Sequence, residues 1–194
     1  MNKKIGIALL LGLLSAQTNI QLHYDVEREY NTSTLEMFKP DEYGSTFWFV
    51  DFDYGEGSST SMSYWEFTRI FNIDKVGLGV QYNGGLNTYG SFDPAWLVGV
   101  EYPINLGSLT LLSSVWIRET ELYGTGYQYT VVWFKPFNDR VSFMGFLDVW
   151  NEDETIVLMA EPQVWYSFGN LSVGGEVGIS QKQIFPTIGL KWDF

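Results

Sequence analysis

Apolar and polar residues alternate along most of the chain with a period of two. Between residues 19 and 27, Ile20, Leu22, Tyr24 and Val26 are apolar and every residue between them is polar. Such alternation places successive side chains on opposite faces of a β-strand. The 3.6-residue period of an amphipathic helix is nearly absent, so the pattern predicts an all-β chain.

Twelve alternating segments follow one another, separated by turn residues. Most have about ten residues, the length that a tilted strand needs to cross the hydrocarbon layer of a membrane. They predict an antiparallel transmembrane β-barrel of about 12 strands, and the even number places both termini in the periplasm. The predicted strands cover residues 19–29, 33–39, 45–55, 61–73, 75–84, 94–104, 108–119, 125–136, 140–150, 155–168, 171–182 and 185–194.

The segment 61–73 does not fit this scheme in either register. One register directs Glu66 towards lipid, and the other directs Arg69 there. A charged side chain on the lipid face costs about 2–4 kcal/mol at the midplane of the bilayer. Two solutions remain open: a β-bulge in this segment, or a position of Arg69 close to a membrane interface.

The N-terminus resembles a secretory signal peptide. Lys3 and Lys4 precede the apolar stretch 5–14, which is followed by small residues. The stretch is shorter than the roughly 20 apolar residues of a transmembrane helix. We therefore expect a signal peptide over residues 1–17, with cleavage near Ala16 or Gln17, and a single barrel domain over residues 18–194.

The C-terminus gives an independent indication. Ile188, Leu190, Trp192 and Phe194 share one face of the last predicted strand. A terminal aromatic residue behind apolar residues at every second position resembles the signal that the barrel assembly machinery reads. Phe194 therefore predicts this machinery as a partner, and the outer membrane of a Gram-negative bacterium, with its lipid and lipopolysaccharide, as the location. A soluble β-sandwich that ends in Phe is the alternative, but it leaves the other exposed apolar faces unexplained.

Composition supports a membrane barrel and narrows the range of partners. The chain contains 8 Trp, 12 Tyr and 14 Phe, and outer-membrane barrels carry aromatic girdles at both interfaces. The net charge is −12 and becomes more negative when Lys3 and Lys4 leave with the signal peptide. Nucleic acid is excluded as a partner because binding phosphate requires a basic surface. The chain has no cysteine, so disulfides and thiol nucleophiles are excluded too.

If the apolar set faces lipid, the complementary set lines the lumen. The predicted pore-lining or ligand-binding residues are His23, Asp25, Glu27, Glu36, Phe38, Phe47, Phe49, Asp51, Asp53, Glu101, Trp116, Arg118, Asp148, Glu161, Glu176 and Lys191, with Phe146, Trp150 and Trp165 as further rings. A twelve-stranded barrel is wider than the eight-stranded barrels that side chains fill and narrower than an open porin.

Two interpretations of this lumen remain open. In a constricted channel, the rings stack on a flat or sugar-like solute and the carboxylates bind its hydroxyls or amines. In a plugged barrel, the acids pair with Arg118, Lys191 and water, and the rings fill space. The excess of acids favours cations or neutral polyols over anions, because a ring of carboxylates repels anionic solutes.

Catalysis and metal binding find little support. A serine hydrolase requires a histidine beside its serine, but His23 is the one histidine and its register directs it into the lumen. Asp51 and Asp53 form a carboxylate pair, but acids spaced by two occur on any polar lumen wall. A metal at His23 with neighbouring acids has no stronger support. The sequence predicts a protein that is not an enzyme and has no cofactor and no metal.

Two stretches resemble a known family. Residues 34–38 (TLEMF) and 45–54 (STFWFVDFDY) are similar to the second and third strands of the nucleoside-specific channel (Tsx-like) outer-membrane family. Looser similarity continues through residues 64–67, 80–85, 161–166 and 189–194. The same stretches look closer still to a branch of that superfamily found in Bacteroides-type bacteria.

The resemblance implies a twelve-stranded monomeric barrel that passes nucleosides and similar small solutes. Phe38, Phe47 and Phe49 match the family in character and strand position only, and the extracellular loops are shorter here. We therefore expect a channel for passive uptake of small solutes, nucleosides or similar neutral or cationic compounds. The alternative is a non-conducting barrel with a structural or partner-docking role among other outer-membrane proteins.

Overall fold

The computed structural model describes residues 16–55 and 60–194. In these ranges the chain forms one antiparallel sheet, and none of its residues belongs to a helix long and apolar enough to cross a membrane. The strands are β1 (Gln17–Asp25), β2 (Tyr30–Asp41), β3 (Gly44–Tyr54), β4 (Thr60–Ile73), β5 (Val76–Asn87), β6 (Gly90–Ser91), β7 (Ala95–Leu106), β8 (Leu109–Thr120), β9 (Gly124–Pro136), β10 (Val141–Glu152), β11 (Thr155–Ala160), β12 (Gln163–Phe168), β13 (Leu171–Ser180) and β14 (Ile184–Asp193). The predicted signal peptide falls mostly on residues 1–15, outside the described part.

The sheet closes on itself because β14 pairs with β1. Each remaining strand of the wall pairs with its neighbours in sequence, apart from three short elements, β6, β11 and β12. Strand β6 has two residues and pairs with β5 alone. Strands β11 and β12 both pair with β10 and β13, so they form one interrupted strand. The wall therefore has twelve strands, and the prediction of a twelve-stranded antiparallel barrel is confirmed.

The interruption between β11 and β12 lies at Glu161 and Pro162. Proline has no N–H for the ladder, but its carbonyl accepts from Val177 N (3.0 Å), and Glu161 N donates to Phe146 O (3.0 Å). Opposite the kink, Gly145 has φ +146°, a conformation that favours glycine. These two backbone hydrogen bonds connect the kink to both neighbouring strands, so the wall stays closed. The Glu161 side chain is directed into the lumen.

The first and last strands of the described chain start and finish at one end of the barrel, where Phe194 N donates to Thr18 O (3.0 Å). We name this the terminal end and the opposite one the distal end. The terminal end also carries the turns at residues 42–43, 74–75, 107–108, 137–140 and 169–170. The assignment of this end to the periplasm stays a prediction.

The two faces of the wall differ as the alternation predicts. In β1, Asn19, Gln21, His23 and Asp25 are buried in the lumen, while the residues between them are exposed on the outer surface. Exposed outer rings lie towards both ends of the barrel, an arrangement typical of aromatic girdles. They include Tyr24, Trp96 and Tyr127 towards the distal end and Phe71, Phe168 and Trp192 towards the terminal end.

Strand β4 resolves the difficulty of its two charges. Glu66 lies opposite Phe49 on the lumen face, and Arg69 lies opposite Thr46 on the outer face. Arg69 is close to the terminal end, where its Nη1 donates to Asp41 Oδ2 (2.6 Å). The pairing of β4 with β5 is continuous through this region. The structure thus has Arg69 near the rim, and the register shift between β3 and β4 lies at the other end of the strand, at Asp53 and Tyr54.

Candidate solute path through the barrel

The inner wall divides into packed and open parts. Two stretches, which we name the packed walls, have mostly buried inward side chains: β12–β14 with β1, and β5, β7 and β8. The other two, named the open walls, carry half-buried side chains: β2–β4, and β10 with β11. In the strand order of the closed sheet, the two open walls face each other across the lumen.

Trp165 and His23 form the centre of the first packed wall. Trp165 is 0% exposed and His23 is 2% exposed, and their rings meet edge to face at 5.6 Å. His23 Nδ1 is 2.9 Å from Thr187 Oγ1 and its Nε2 is 3.0 Å from Gln21 Oε1. Each ring nitrogen therefore has a neutral hydrogen-bond partner that is not serine, and the imidazole is packed into the wall.

Glycines allow the large rings to lie against the backbone. A Cβ at Gly174 would lie 2.9 Å from Trp165 Cε3, and one at Gly189 would lie 3.0 Å from its Cη2. In the second packed wall, a Cβ at Gly79 would lie 2.6 Å from Cη2 of the buried Trp116. Because real Cβ atoms do not approach this closely, glycine is required under both tryptophans.

Asp25 organises the distal rim and ends β1. Its Oδ1 accepts from the backbone N–H groups of Glu27 (2.9 Å) and Arg28 (2.7 Å), and its carboxylate forms an ion pair with Arg28. The guanidinium lies over the rings of Tyr30 (4.5 Å) and Phe185 (4.1 Å). Glu27, predicted on the lumen wall, is instead exposed in this turn, because the Asp25 carboxylate binds the turn N–H groups and the strand stops there.

Aromatic rings and acids alternate on the first open wall. The rings of Phe47, Phe49 and Tyr64 follow one another at 5.9 and 5.8 Å. Asp51 lies opposite Tyr64, and Glu66 lies opposite Phe49. The sequence prediction missed Tyr64 and Glu66. Aligning β4 with β3 would have identified them, because they lie opposite the inward-facing residues of that strand.

Carboxylates from both open walls point into the same part of the lumen. Asp51 and Glu66 come from the first open wall, Asp148 comes from β10, and Glu161 comes from the kink. The Glu161 carboxylate lies close enough to the carboxylates of Asp51 and Asp148 to repel them. The Glu66 carboxylate is close to the same two aspartates. Thr34 and Thr130 donate to Asp51 and Asp148. Among the described residues, no group donates a hydrogen bond to the side-chain carboxylate of Glu66 or of Glu161.

The cations of the lumen do not neutralise these acids in pairs. In the described ranges, ion pairs within 4.0 Å are limited to Asp25–Arg28, Asp41–Arg69 and the His23–Glu176 contact at 3.9 Å. Arg118 and Lys191 belong to none of them. The Arg118 guanidinium lies 5.7 Å from the Trp150 ring. The acids of the open walls therefore remain uncompensated by a contacting cation.

The other predicted acids bind neutral neighbours. Thr32 Oγ1 donates to Asp53 (2.6 Å), Ser114 Oγ to Glu101 (3.4 Å), Asn19 Nδ2 to Glu36 (2.9 Å) and Gln163 Nε2 to Glu176 (2.9 Å). Such bonds orient each carboxylate along the wall. Within residues 16–55 and 60–194, no group of three or more His, Cys, Asp or Glu side chains is arranged to hold a metal ion.

A cavity of about 620 Å³ opens at the terminal end, and we name it the terminal vestibule. Phe38, one of the predicted site residues, lines this vestibule and lies opposite Phe47 of the first open wall. The lining includes Asn19, Glu36, Phe38, Phe134, Met144, Lys191 and Asp193, together with the turn residues Phe137, Asn138, Asp139 and Arg140.

The profile of DUF5020, a domain of unknown function, matches residues 16–194. The chain belongs to the DUF5020 family. Curated protein sequences give no match to this DUF5020 chain. Two solved structures share its fold: a KdgM porin (TM-score 0.62) and a KdgM porin in complex with disordered oligogalacturonate (TM-score 0.60). In both comparisons the identity is 10%, and the match covers 92% of the DUF5020 chain and 99% of the porin.

The comparisons thus show that the DUF5020 barrel has a porin-like fold. At this level of identity they say nothing about a shared substrate. They give no support for the resemblance to nucleoside channels or to a Bacteroides-type branch, which stays a prediction from the sequence. The absence of enzymatic activity stays a prediction as well.

Proposed function

We propose that this DUF5020 barrel is an outer-membrane channel for the passive uptake of small neutral or cationic solutes. The observation that carries the proposal is the set of acids on the facing open walls, Asp51, Glu66, Asp148 and Glu161, which have no cation within 4.0 Å in the described residues. An ionised carboxylate without a partner is unfavourable in a dry interior. To carry their charge these groups need contact with water, and a hydrated lumen is the basis of conduction.

The charge of the lumen favours a particular class of solute. The solved porin complex contains oligogalacturonate, a chain of acidic sugars, whereas carboxylates in a pore repel anions. A polyanion is therefore a poor substrate for this chain. The rings of Phe47, Phe49 and Tyr64 beside Asp51 suit a flat neutral solute with hydroxyl groups, so nucleosides are the first neutral solutes to test.

Conductance of the purified protein in planar bilayers tests the proposal. Under a gradient of KCl, we expect small conductance steps and a reversal potential of cation-selective sign. The double variant Asp51→Asn/Glu66→Gln should move this potential towards zero. The double variant Glu42→Gln/Glu154→Gln, which removes two exposed turn acids, should leave the potential unchanged. A silent bilayer, from protein shown to be folded by its heat-modifiable mobility, would contradict the proposal.

A non-conducting barrel with a structural or docking role is the second candidate. The packed walls favour it, because Trp165, Leu97 and Trp116 are almost fully buried and fill part of the lumen. The bilayer experiment separates the two candidates. Conductance that responds to acid substitutions on the open walls supports the channel, and silence from folded protein supports the structural role.

A further inference from the structure

The terminal vestibule carries side chains of both charges, unlike the acidic open walls. Lys191 and Arg140 contribute positive charge to its lining, and Glu36, Asp139 and Asp193 contribute negative charge. Its volume of about 620 Å³ falls in the range of small-molecule sites. A lining of this kind suits a ligand that carries both a cationic and an anionic group.

Lys191 is a buried cation without an anionic partner. Its side chain is 9% exposed, and its Nζ lies 3.9 Å from Met144 Sδ and 4.7 Å from the Trp165 ring. In the described part of the chain, no carboxylate lies within 4.0 Å of this nitrogen. Buried lysines are normally paired, and a thioether is only a weak acceptor. A carboxylate of a ligand would supply the missing strong acceptor.

Glu36 supplies the opposite charge at a suitable separation. Asn19 Nδ2 donates to its Oε1 (2.9 Å), which leaves Oε2 for a ligand. Asn19 pairs with Glu36 on one side of β1, and Gln21 pairs with Lys191 on the other. Two strand spacings, about 10 Å, therefore separate the backbones that carry the two charges. Phe38 in the same lining provides an apolar surface beside them.

We infer that the terminal vestibule binds a zwitterionic solute, an amino acid with an apolar side chain. Its carboxylate lies towards Lys191, its ammonium group towards Glu36, and its side chain against Phe38 or Phe134. The inference rests on the proposed function only for access of the solute to the lumen. It adds a binding site at the terminal end to the acidic path between the open walls.

Calorimetric titration of the folded full chain in detergent micelles tests the site. The probes are phenylalanine, 3-phenylpropionate, which lacks the amine, and phenethylamine, which lacks the carboxylate. We expect phenylalanine to bind about tenfold more tightly than either analogue, since each one lacks a charge-assisted contact. Lys191→Met should weaken phenylalanine binding by about tenfold and remove its advantage over phenethylamine. The matched control Lys182→Met changes an exposed turn lysine at the distal end and should have no effect.

A second variant, Glu36→Gln, should remove the advantage of phenylalanine over 3-phenylpropionate. Equal binding of all three probes, unchanged affinity in Lys191→Met, or inorganic phosphate that competes as well as phenylalanine would overturn the inference, the last by showing a simple anion site. If Lys191→Met does not fold, the three probes still decide the question with the unaltered protein. Binding in micelles does not require conduction, so a silent bilayer with bound phenylalanine contradicts the channel alone, and conduction without binding contradicts the vestibule site alone.

Discussion

The first packed wall and the first open wall contain the same types of residue in different surroundings. In the packed wall, the Asp25 carboxylate binds Arg28 and two backbone N–H groups, and Trp165 lies on glycines. In the open wall, Phe49 and Glu66 are half-buried, and the Glu66 carboxylate has no hydrogen-bond or ion-pair partner among the described residues. Partners and backbone support, more than residue type, thus distinguish side chains that stabilise the barrel from side chains that face a solute.

Trp165→Ala gives the largest expected effect. Removing a fully buried ring should lower the free energy of unfolding by about 3–5 kcal/mol, measured by urea unfolding in detergent. Phe49→Ala is the matched change on the open wall, and it should cost less because this ring is only half-buried. Equal losses in the two variants would show that the walls do not differ in packing.

The substitution Asp→Asn separates stability from selectivity. Asp25→Asn should lower the free energy of unfolding by about 1–3 kcal/mol, because it weakens buried hydrogen bonds and an ion pair, and it should leave the reversal potential unchanged. Asp51→Asn should leave stability nearly unchanged and move the reversal potential towards zero. A shifted reversal potential in Asp25→Asn, or a large loss of stability in Asp51→Asn, would contradict this distinction between the two walls.

Nucleoside block sharpens the role of the open wall. Phe49→Ala should raise the uridine concentration for half-maximal block about tenfold, because stacking of a base on an aromatic ring contributes about 1–3 kcal/mol. Single-channel recording measures this concentration. Phe71→Ala, which removes an exposed ring from the outer face, is the control and should not change it. Unchanged block in Phe49→Ala would remove this ring from the solute path.

The smallest effect is expected at the rim of the terminal end. Arg69→Met breaks an ion pair with an Asp41 that water still reaches, so the urea midpoint should change little. Arg28→Met should lower the midpoint more, because it leaves the buried Asp25 without its cation. Similar midpoints for the two variants would mean that burial does not distinguish these ion pairs.

The sequence predicted the barrel well because a strand has only two faces. Alternation alone separates Gln21 and His23 in the lumen from Leu22 and Tyr24 on the outer surface, and twelve such segments in succession favour a closed sheet. The register of β4 could not be chosen in this way. It depends on Asp41, which lies on a different strand and binds Arg69 at the rim.

The division into packed and open walls could not be predicted from the sequence either. Whether Trp165 fills the wall or faces a solute depends on Gly174 and Gly189, which lie on neighbouring strands. The position of Glu27 could not be predicted from the alternation either. The Asp25 carboxylate binds the backbone N–H groups of the turn, which ends β1 before Glu27. Lys191 was identified as inward-facing, but its lack of an anionic partner is a three-dimensional property.

The pairing of β1 with β14 has a consequence for biogenesis. These strands join the two ends of the described sequence, with Asn19 opposite Asp193, so the cylinder cannot close until nearly all of it has been synthesised. Until then, two unpaired edges are open to association with other strands. Such long-range pairing also makes folding slow. Protection of these edges before the barrel closes should therefore matter more for this protein than for one whose sheet forms between neighbouring segments.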